Sequence, residues 1–178
     1  MQSTNARYQE LLASTHRMQT QLYIDNVVYG EEKIMEGSLQ TKNSLFQGDI
    51  PTVGGAVAGE ISVQLLGVLS SSVARMAELR PQVRLVGDSG EPSEWVAQGV
   101  YNVDKRSYNK QTGVLTLHGY DKMLATEQWY TGSVGTGGVT DITIVNRVCT
   151  QVGITLDSET DSFFSASGKK YKVTKPRN

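Results

Sequence analysis

The sequence predicts a mainly β fold with a few short helices, an α+β arrangement. Three observations support this. The 178 residues include 18 glycines but only 4 prolines, a composition that suits many tight turns between strands. Apolar and polar residues alternate with a period of two in several segments, most regularly in GEISVQLLG at 59–67. Helical periodicity is limited to short stretches.

Composition and charge narrow the functional classes. A chain of 178 residues fits one domain with a modest appendage, since domains most often hold ~100–150 residues. With 17 basic and 18 acidic side chains, the net charge of −1 lacks the basic excess that phosphate backbones select, so we expect no specific nucleic-acid partner. No segment approaches the ~20 apolar residues that span a bilayer, and the first residues lack the basic and apolar pattern expected of a secretory signal. We therefore expect a soluble protein without membrane insertion, made in the cytoplasm.

Residues 1–19 are expected to form an N-terminal arm or a short helix. Helical periodicity extends over 3–14, and either Ser3 or Thr4 can cap it. One face of this helix carries the side chains of Tyr8, Leu11 and Leu12. Because the helix is short and polar, it is expected to fray or to need a neighbouring element.

Beyond the arm, apolar residues alternate with a period of two. The alternation predicts a strand over 20–29, interrupted at Asp25-Asn26 by either a bulge or a turn. A second strand over 33–42 follows a short turn. The two strands are predicted to form a hairpin.

The most regular strand of the chain follows a long glycine-rich loop at 43–59. One face of this strand carries Ile61, Val63 and Leu65. The opposite face carries Glu60, Ser62 and Gln64. Because side chains alternate across a strand, we expect the first face to pack on a core and the second to meet water or a partner subunit.

A helical segment and three strands come next. The helix covers SSSVARMAELRP at 70–81, where serines can cap the start and Pro81 ends it. Its apolar residues are Val73, Met76 and Leu79. The strands are VRLVG at 83–87, WVAQGVYNVD at 95–104 and VLTLHGY at 114–120. In the last strand Leu115 and Leu117 share one face, which leaves His118 on the other.

The segments that join these strands, GDSGEPSE and KRSYNKQTG, are rich in turn residues and are predicted to be connections. Two more helices are predicted in the last third of the chain. The first covers 121–130 and is expected to bury Met123 and Leu124. The second covers 140–152 and stops at Gly153. Its apolar stripe consists of Ile142, Val145, Cys149 and Val152.

The segments around this last helix have little periodicity. GSVGTGG at 132–138 is expected to be flexible, so that 131–139 forms a connector between two domains. From Ile154 the chain is polar and ends in the basic stretch GKKYKVTKPRN. We expect residues 140–178 to begin a second domain that is incomplete, either as a fragment of a longer protein or because it orders against a partner.

Histidine is the first candidate for chemistry because it titrates nearest neutrality. His16 and His118 lack the spacing of a metal site, so no metal is expected. His118 beside Asp121 could form a general base with its orienting carboxylate. No nucleophile-elbow sequence accompanies the pair, and the simpler interpretation is that Asp121 caps a helix. No catalytic residue is therefore expected.

Other groups offer no better site. Cys149, the single cysteine, excludes an internal disulfide and lies on an apolar helical stripe, where we expect packing rather than reactivity. The glycine loop at 132–138 lacks the lysine of a phosphate-binding loop, so no cofactor is expected. No recognisable catalytic pair occurs among the carboxylates Glu91, Glu94, Asp104, Asp121, Glu127, Asp141 and Asp157. The basic tail is expected to be a solvated strand or linker.

Four consecutive segments carry a family resemblance: AGEISVQLL, MAELRPQVRLV, SEWVAQGVYNVDKRSY and GVLTLHGYDKMLATEQWY. In order and residue type they resemble the N-terminal part of phage and prophage tail hub proteins, the baseplate or tail-tip hubs of long-tailed phages and related contractile particles. The segment DITIVNRVCTQVGITLDSET is similar to the start of the next domain of such hubs. The resemblance covers residues 45–160.

This resemblance implies a fold and a role. Residues 20–130 would form a β-barrel domain related to the tail-tube protein. The hub would assemble as a homotrimeric ring that joins the tail tube to the central spike or tail tip, in a virion tail that is assembled in the bacterial cytoplasm. The resemblance implies no enzymatic activity in this part of the protein. Family hubs are usually longer than this chain, which agrees with an incomplete second domain.

The residues leave two alternative functions open. A cell-wall hydrolase of a tail would use the abundant carboxylates, or His118 with Asp121. A β-type carbohydrate-binding module would expose a row of aromatic side chains. Trp95, Trp129 and the tyrosines show no regular spacing of that kind.

Overall fold

The computed structural model describes residues 4–43, 57–88, 90–126 and 138–171. The chain divides into two compact units, Met1–Leu124 and Ala125–Asn178. The described part of the first unit contains α1 (Ala6–Leu12), β1 (His16–Ile24), β2 (Val27–Tyr29), β3 (Gln40–Lys42), β4 (Glu60–Leu66), β5 (Glu78–Gly87), β6 (Val96–Ala97), β7 (Tyr101–Asn109) and β8 (Val114–Tyr120). That of the second unit contains β9 (Val139–Thr140), α2 (Asp141–Val152), α3 (Ser158–Ser167) and β10 (Lys170–Tyr171).

The strands of the first unit form one antiparallel sheet in the order β2-β1-β5-β7-β8-β4-β3, with β6 paired to β5. The mainly β prediction is therefore confirmed. In the described residues the sheet is open, because its hydrogen-bonded path ends at β2 and β3, so the closed barrel that the resemblance implied is wrong. After the short β2 the chain crosses to β4, where the N–H of Met35 donates to the carbonyl of Gln64 at 2.9 Å. The two edges are thus joined by the chain and not by a strand ladder.

The first hairpin differs from the predicted one. β1 begins at His16, inside the expected arm, and turns back at Asp25-Asn26 into β2. Asp25 has a φ of 51°, a left-handed conformation that aspartate tolerates in a two-residue hairpin turn. The segment 33–42, predicted to pair with the first strand, contacts β4 instead, through β3 and an isolated bridge. The interruption of the alternation was therefore a turn and not a bulge.

The core lies on one face of the sheet, where the predicted alternation in β4 and β8 is confirmed. Ile61 is 2% exposed, and the other inward residues of these two strands are completely buried. The buried cluster consists of Leu22, Ile24, Ile34, Ile61, Val63, Leu65, Val68, Val73, Ala77, Leu79, Tyr101, Val103, Leu115 and Leu117. Because nearly all of these side chains are aliphatic, removal of apolar surface from water is the main force that holds the sheet together.

The helix predicted at 70–81 is wrong. A single 3-10 turn forms at Ser70–Ser72, and β5 begins at Glu78. Pro81 therefore lies inside a strand. Its carbonyl accepts the N–H of Gln98 at 2.9 Å, on the side of β5 that is away from β1. The N and O of a strand residue point to the same side, so the N–H that proline lacks would also face away from β1. The ladder between β1 and β5 thus loses no donor at the proline.

β7 and β8 form a longer hairpin than predicted. β7 continues to Asn109, through residues expected to be a connection. Its pairing with β8 shifts register around Asp104, which forms a β-bulge. Close to the bulge, a Cβ on Gly119 would lie 2.6 Å from the carbonyl oxygen of Asn102. Glycine is required here because the two backbones approach too closely for any side chain.

The predicted N-terminal helix is confirmed as α1, although its cap differs. Asn5 caps it, with Oδ1 accepting the N–H of Tyr8 at 2.8 Å. Leu11 is buried and lies so close to Gly87 of β5 that a Cβ there would come within 2.7 Å of its Cδ2. Leu12, predicted on the same face, is 52% exposed. Leu11 is therefore the buried residue through which α1 packs on the sheet.

The second unit confirms one predicted helix and adds another. α2 begins after Thr140 and ends at Gly153, whose φ of 71° is the left-handed conformation that favours glycine. The predicted apolar stripe of α2 is half-buried. The added helix, α3, was not predicted. Its N-terminus is marked by Asp157, whose Oδ1 accepts the N–H groups of Glu159 and Thr160, each at 2.9 Å. β9 and β10 pair antiparallel.

The helix predicted at 121–130 is a 3-10 turn over Lys122–Thr126, as far as the described residues extend. Met123 and Leu124 are 36% and 37% exposed, so their predicted burial is wrong. Several predicted segments lie wholly or largely outside the described residues: the long loop at 44–56, the connector at 131–137 and the tail at 172–178.

Candidate functional site

His118 and Asp121 are separated in the structure. His118 is exposed on the outer face of β8, opposite Ser62 of β4 and Lys105 of β7. It lines a shallow depression of about 140 Å³. Among the hydrogen bonds and ion pairs of the described residues, none joins His118 to Asp121. The structure therefore does not form the general-base couple.

Asp121 instead holds a corner of the sheet. Its N–H donates to the carbonyl of Gly59 at 2.9 Å, and its Oδ1 accepts the N–H of Met123 at 2.9 Å. The second bond confirms the predicted cap, although the capped element is a 3-10 turn. Its Oδ2 and the Oδ1 of Asn43 both approach Gly59, where a Cβ would meet them at 2.8 and 2.6 Å. This corner joins the ends of β3 and β8 to the start of β4.

Tyr101 lies in the same corner and is 2% exposed. Its hydroxyl donates to the carbonyl of Gln98 at 3.1 Å. Burial raises the pKa of Tyr101, a hydrogen bond with Asn43 lowers it, and the negative charge of Asp121 raises it, with a net increase. The phenol is therefore held neutral. Such a group supports the corner and does not act as a base.

The other predicted candidates serve local structure. His16 is exposed, and its Nδ1 lies 2.8 Å from the carbonyl of Ser14. Cys149 is a half-buried free thiol on α2. Asp157 caps α3, and its pKa is lowered chiefly by the hydrogen bond from the Thr160 hydroxyl. Within the described ranges, no three side chains of His, Cys, Asp or Glu are grouped as metal ligands.

The remaining carboxylates are dispersed. Glu94 accepts the N–H of Asn5, and Asp141 accepts the N–H of Ile142. Glu127 lies outside the described residues, as does most of the glycine loop.

No helix in the described part of the chain has the length and apolar character needed to cross a bilayer.

An ordered set of side chains, which was not predicted from the sequence, covers the outer face of β1 and β5. Tyr23 lies under Arg80, with 5.5 Å from the ring centroid to Cζ. The Nε2 of Gln21 donates to the Oε1 of Gln82 at 2.7 Å. The third rung pairs Gln19 with Arg84. These six residues, together with Trp95, are called the β1–β5 ladder.

Two contacts within the β1–β5 ladder hold the guanidinium of Arg84. Its Cζ lies 4.4 Å from the centroid of the Trp95 ring, and its Nε donates to the Oε1 of Gln19 at 2.8 Å. Among the described residues, no carboxylate lies within ion-pair distance of its terminal nitrogens. The stacked guanidinium thus has a fixed orientation and no ion-pair partner among the described residues.

The alternation in the sequence shows which residues of a strand point outward, but it does not show which strands pair. The two halves of each rung are about sixty residues apart, as in Gln21 and Gln82, whose separation is 61 residues. The only local signal is QTQLY at 19–23 and RPQVR at 80–84, with polar or aromatic residues at every second position. That signal becomes a surface only when β1 and β5 are paired.

No protein-family model matches the chain, and no curated protein matches it. A chain from a solved structure described as the virion of a native gene transfer agent particle is similar, with a TM-score of 0.42 and 16% sequence identity. The match covers 76% of this chain and 51% of that one, so this chain spans about half of its neighbour. A TM-score and identity this low carry no argument about function.

Proposed function

We propose that this chain is a structural component of a phage or phage-like tail, a hub protein that joins the tail tube to the central spike or tail tip. The proposal is based on the resemblance to tail hubs of the segments between residues 45 and 160. The structural observation that carries it is a sheet with a filled interior, polar outer faces and unpaired edges. Such a sheet suits assembly with neighbours more than conversion of a substrate.

In the described residues, a cluster of buried and mostly apolar side chains covers the inner face of the sheet. Protein interiors of this kind are close-packed. Ligand sites are typically apolar clefts of ~300–1,000 Å³. Two depressions in the described part of the chain are a shallow one of about 140 Å³ beside His118 and an open one of about 340 Å³ lined mainly by charged residues from Arg75 to Arg106. Neither combines an acid and a base in contact.

Within the described residues, the two edge strands of the sheet have backbone groups without a strand partner. The N–H of Asp25 donates to the carbonyl of Glu78 at 2.8 Å, so the odd-numbered residues of β1 bond to β5 and the even-numbered ones to β2. The backbone of Val28, at the centre of β2, therefore points away from the sheet. The same argument applies to Thr41 at the centre of β3. A ring of copies, or the neighbouring tail proteins, would cover these edges.

The proposal includes an organisation and a location. Residues 20–130 form the hub domain, 131–139 connect it, and 140–178 begin a second hub domain. The chain forms a homotrimeric ring and has no enzymatic activity. Its partners are the tail tube protein and the central spike or tail-tip proteins, in a virion tail assembled in the host cytoplasm.

Electron microscopy and native mass spectrometry test this proposal on the intact chain. We expect ring-shaped particles and a mass three times the 19.4 kDa of one chain. In purified particles, gold-labelled antibodies against the chain should bind at one end of the tail. A strict monomer at high concentration, together with no labelling of particles, would contradict the hub function.

A cell-wall assay separates the hydrolase alternative. Purified cell walls incubated with the chain should release no reducing ends and no free amines. Release that disappears in both His118→Ala and Asp121→Asn would show a hydrolase, although the two side chains make no contact in the structure. Release that persists in both variants would indicate either other carboxylates of the chain or a contaminating enzyme, and a mock purification without the chain separates these two.

A further inference from the structure

We propose that the β1–β5 ladder is a docking surface for a carboxylate, and that its occupant is helix α3 of a second copy of the chain. Glu159 of the second copy binds Arg84, and Phe163 packs beside Trp95. The inference rests on the proposed function, which requires copies to assemble, and it adds the surfaces through which they meet.

Arg84 is prepared for a carboxylate before any partner arrives. Stacking on Trp95 fixes the plane of its guanidinium, and the bond from Nε to Gln19 fixes its rotation. The terminal nitrogens, Nη1 and Nη2, are left for a pair of parallel bonds to one carboxylate. Because the side chain is already ordered, binding costs little conformational entropy. Arg84 is also half-buried, which weakens screening of its charge by water.

The charges around Arg84 define what the partner brings. Arg80 lies 3.1 Å from a carboxylate oxygen of Glu78, and Arg17 lies 3.3 Å from one of Glu31. These two cations are therefore matched within the chain. Of the three arginines on the outer face of β1 and β5, Arg84 is the one without an ion pair among the described residues. A complementary partner surface therefore carries one carboxylate for Arg84 and, next to it, an apolar group that covers the half-exposed indole of Trp95.

Helix α3 carries that complement. Glu159 and Phe163 are four residues apart, so they lie on the same helical face with Cβ atoms about 5–6 Å apart. Phe163 is 71% exposed, more than any other large apolar side chain of the described residues. Its described ring contact is edge-to-face with Phe164, at 5.5 Å between centroids. The Glu159 side chain has no ion-pair partner among the described residues.

The two surfaces differ, so the contact is head-to-tail. The α3 of each copy docks on the sheet of the next, and a contact of this type closes into a ring when the rotation allows it. Arginine and aromatic residues at the centre of such a contact commonly supply most of the affinity.

Charge reversal on both sides tests the contact by sedimentation velocity of the full chain, at concentrations up to about 1 mM. Arg84→Glu and Glu159→Arg should each weaken self-association by at least about 10-fold, since each places like charges together. The double variant restores the pair in reversed order and should recover most of the loss. Arg75→Glu and Asp161→Arg are matched controls, which change the same charges at exposed positions and should associate like the wild type. Circular dichroism confirms that each variant is folded.

Each remaining outcome overturns the inference. If the wild type forms rings and neither single variant weakens them, the interface is wrong while the hub function stands. If the wild type is monomeric at every concentration, two proposals are contradicted: that a second copy occupies the β1–β5 ladder, and that the chain forms a ring. A monomer whose sedimentation coefficient changes in the single variants and recovers in the double variant would place the contact within one chain. Self-association lost in both single variants but not recovered in the double variant would mean that Arg84 and Glu159 do not meet.

Discussion

Replacing Gly119 with alanine tests the close approach of β7 and β8. An alanine Cβ would lie 2.6 Å from the carbonyl oxygen of Asn102, 3.1 Å from its carbonyl carbon and 3.2 Å from Cγ2 of Ile61. Carbon atoms prefer separations of ~3.5–4.0 Å, so β7 would have to recede by roughly 0.5 Å. That shift strains the ladder where Asn102 pairs with Tyr120, next to the bulge.

The expected cost follows from these contacts. Overpacking costs ~1–3 kcal/mol, and weakening one ladder hydrogen bond adds ~0.5–1.5 kcal/mol. We therefore expect Gly119→Ala to lower the free energy of unfolding by about 2–4 kcal/mol. For a chain of this size that corresponds to a fall in Tm of roughly 4–16 °C. The φ of Gly119 is not positive, so without the clash alanine would stabilise the fold by ~0.4–1 kcal/mol through the unfolded state.

Urea unfolding followed by circular dichroism measures the change. The control is Thr116→Ala, on the same strand but with its side chain on the outer face, where we expect a change within about 1 kcal/mol. If Gly119→Ala is as stable as the wild type, or more stable, the close approach of the two backbones is wrong.

Other predictions concern the corner and the second unit. Asp121→Ala should lower the free energy of unfolding by ~1 kcal/mol, as loss of a cap does. His118→Ala should change it by no more than ~0.5 kcal/mol. Equal losses in urea unfolding would indicate that the two side chains act together. The pKa of Tyr101 is above the ordinary value of 10.0, because the fold favours the neutral phenol. The stability that this preference gives to the folded state is complete below pH 10 and is lost as the pH rises through the raised pKa. The urea midpoint of the wild type should therefore fall more steeply above pH 10 than that of Tyr101→Phe, and parallel curves would refute the assignment. Gly153→Ala places a Cβ in the left-handed conformation and should cost ~1 kcal/mol, seen as an earlier loss of helical ellipticity on heating; an unchanged melting curve would show that α2 does not end there.

Segments whose pattern depends on one nearby core were predicted well from the sequence. β4, β8 and α2 each present one apolar face, and the alternation or the helical period fixes that face whatever element packs on it. Asp121 was correctly predicted as a cap for the same reason, since capping involves residues only two positions apart. The helix predicted at 70–81 failed because a few apolar residues at helical spacing also fit a turn followed by a buried strand.

The sequence by itself determined the mainly β class and the buried faces of its most regular strands. Tertiary structure alone decided which strands are neighbours. Pairing of β1 with β5 places Gln19 against Arg84, and Arg84 over Trp95, although the first two are 65 residues apart. Local periodicity carries no information about such distant contacts, because strand pairing is selected by the burial of the whole core. The candidate site lies on that pairing, so it is visible only in the folded chain.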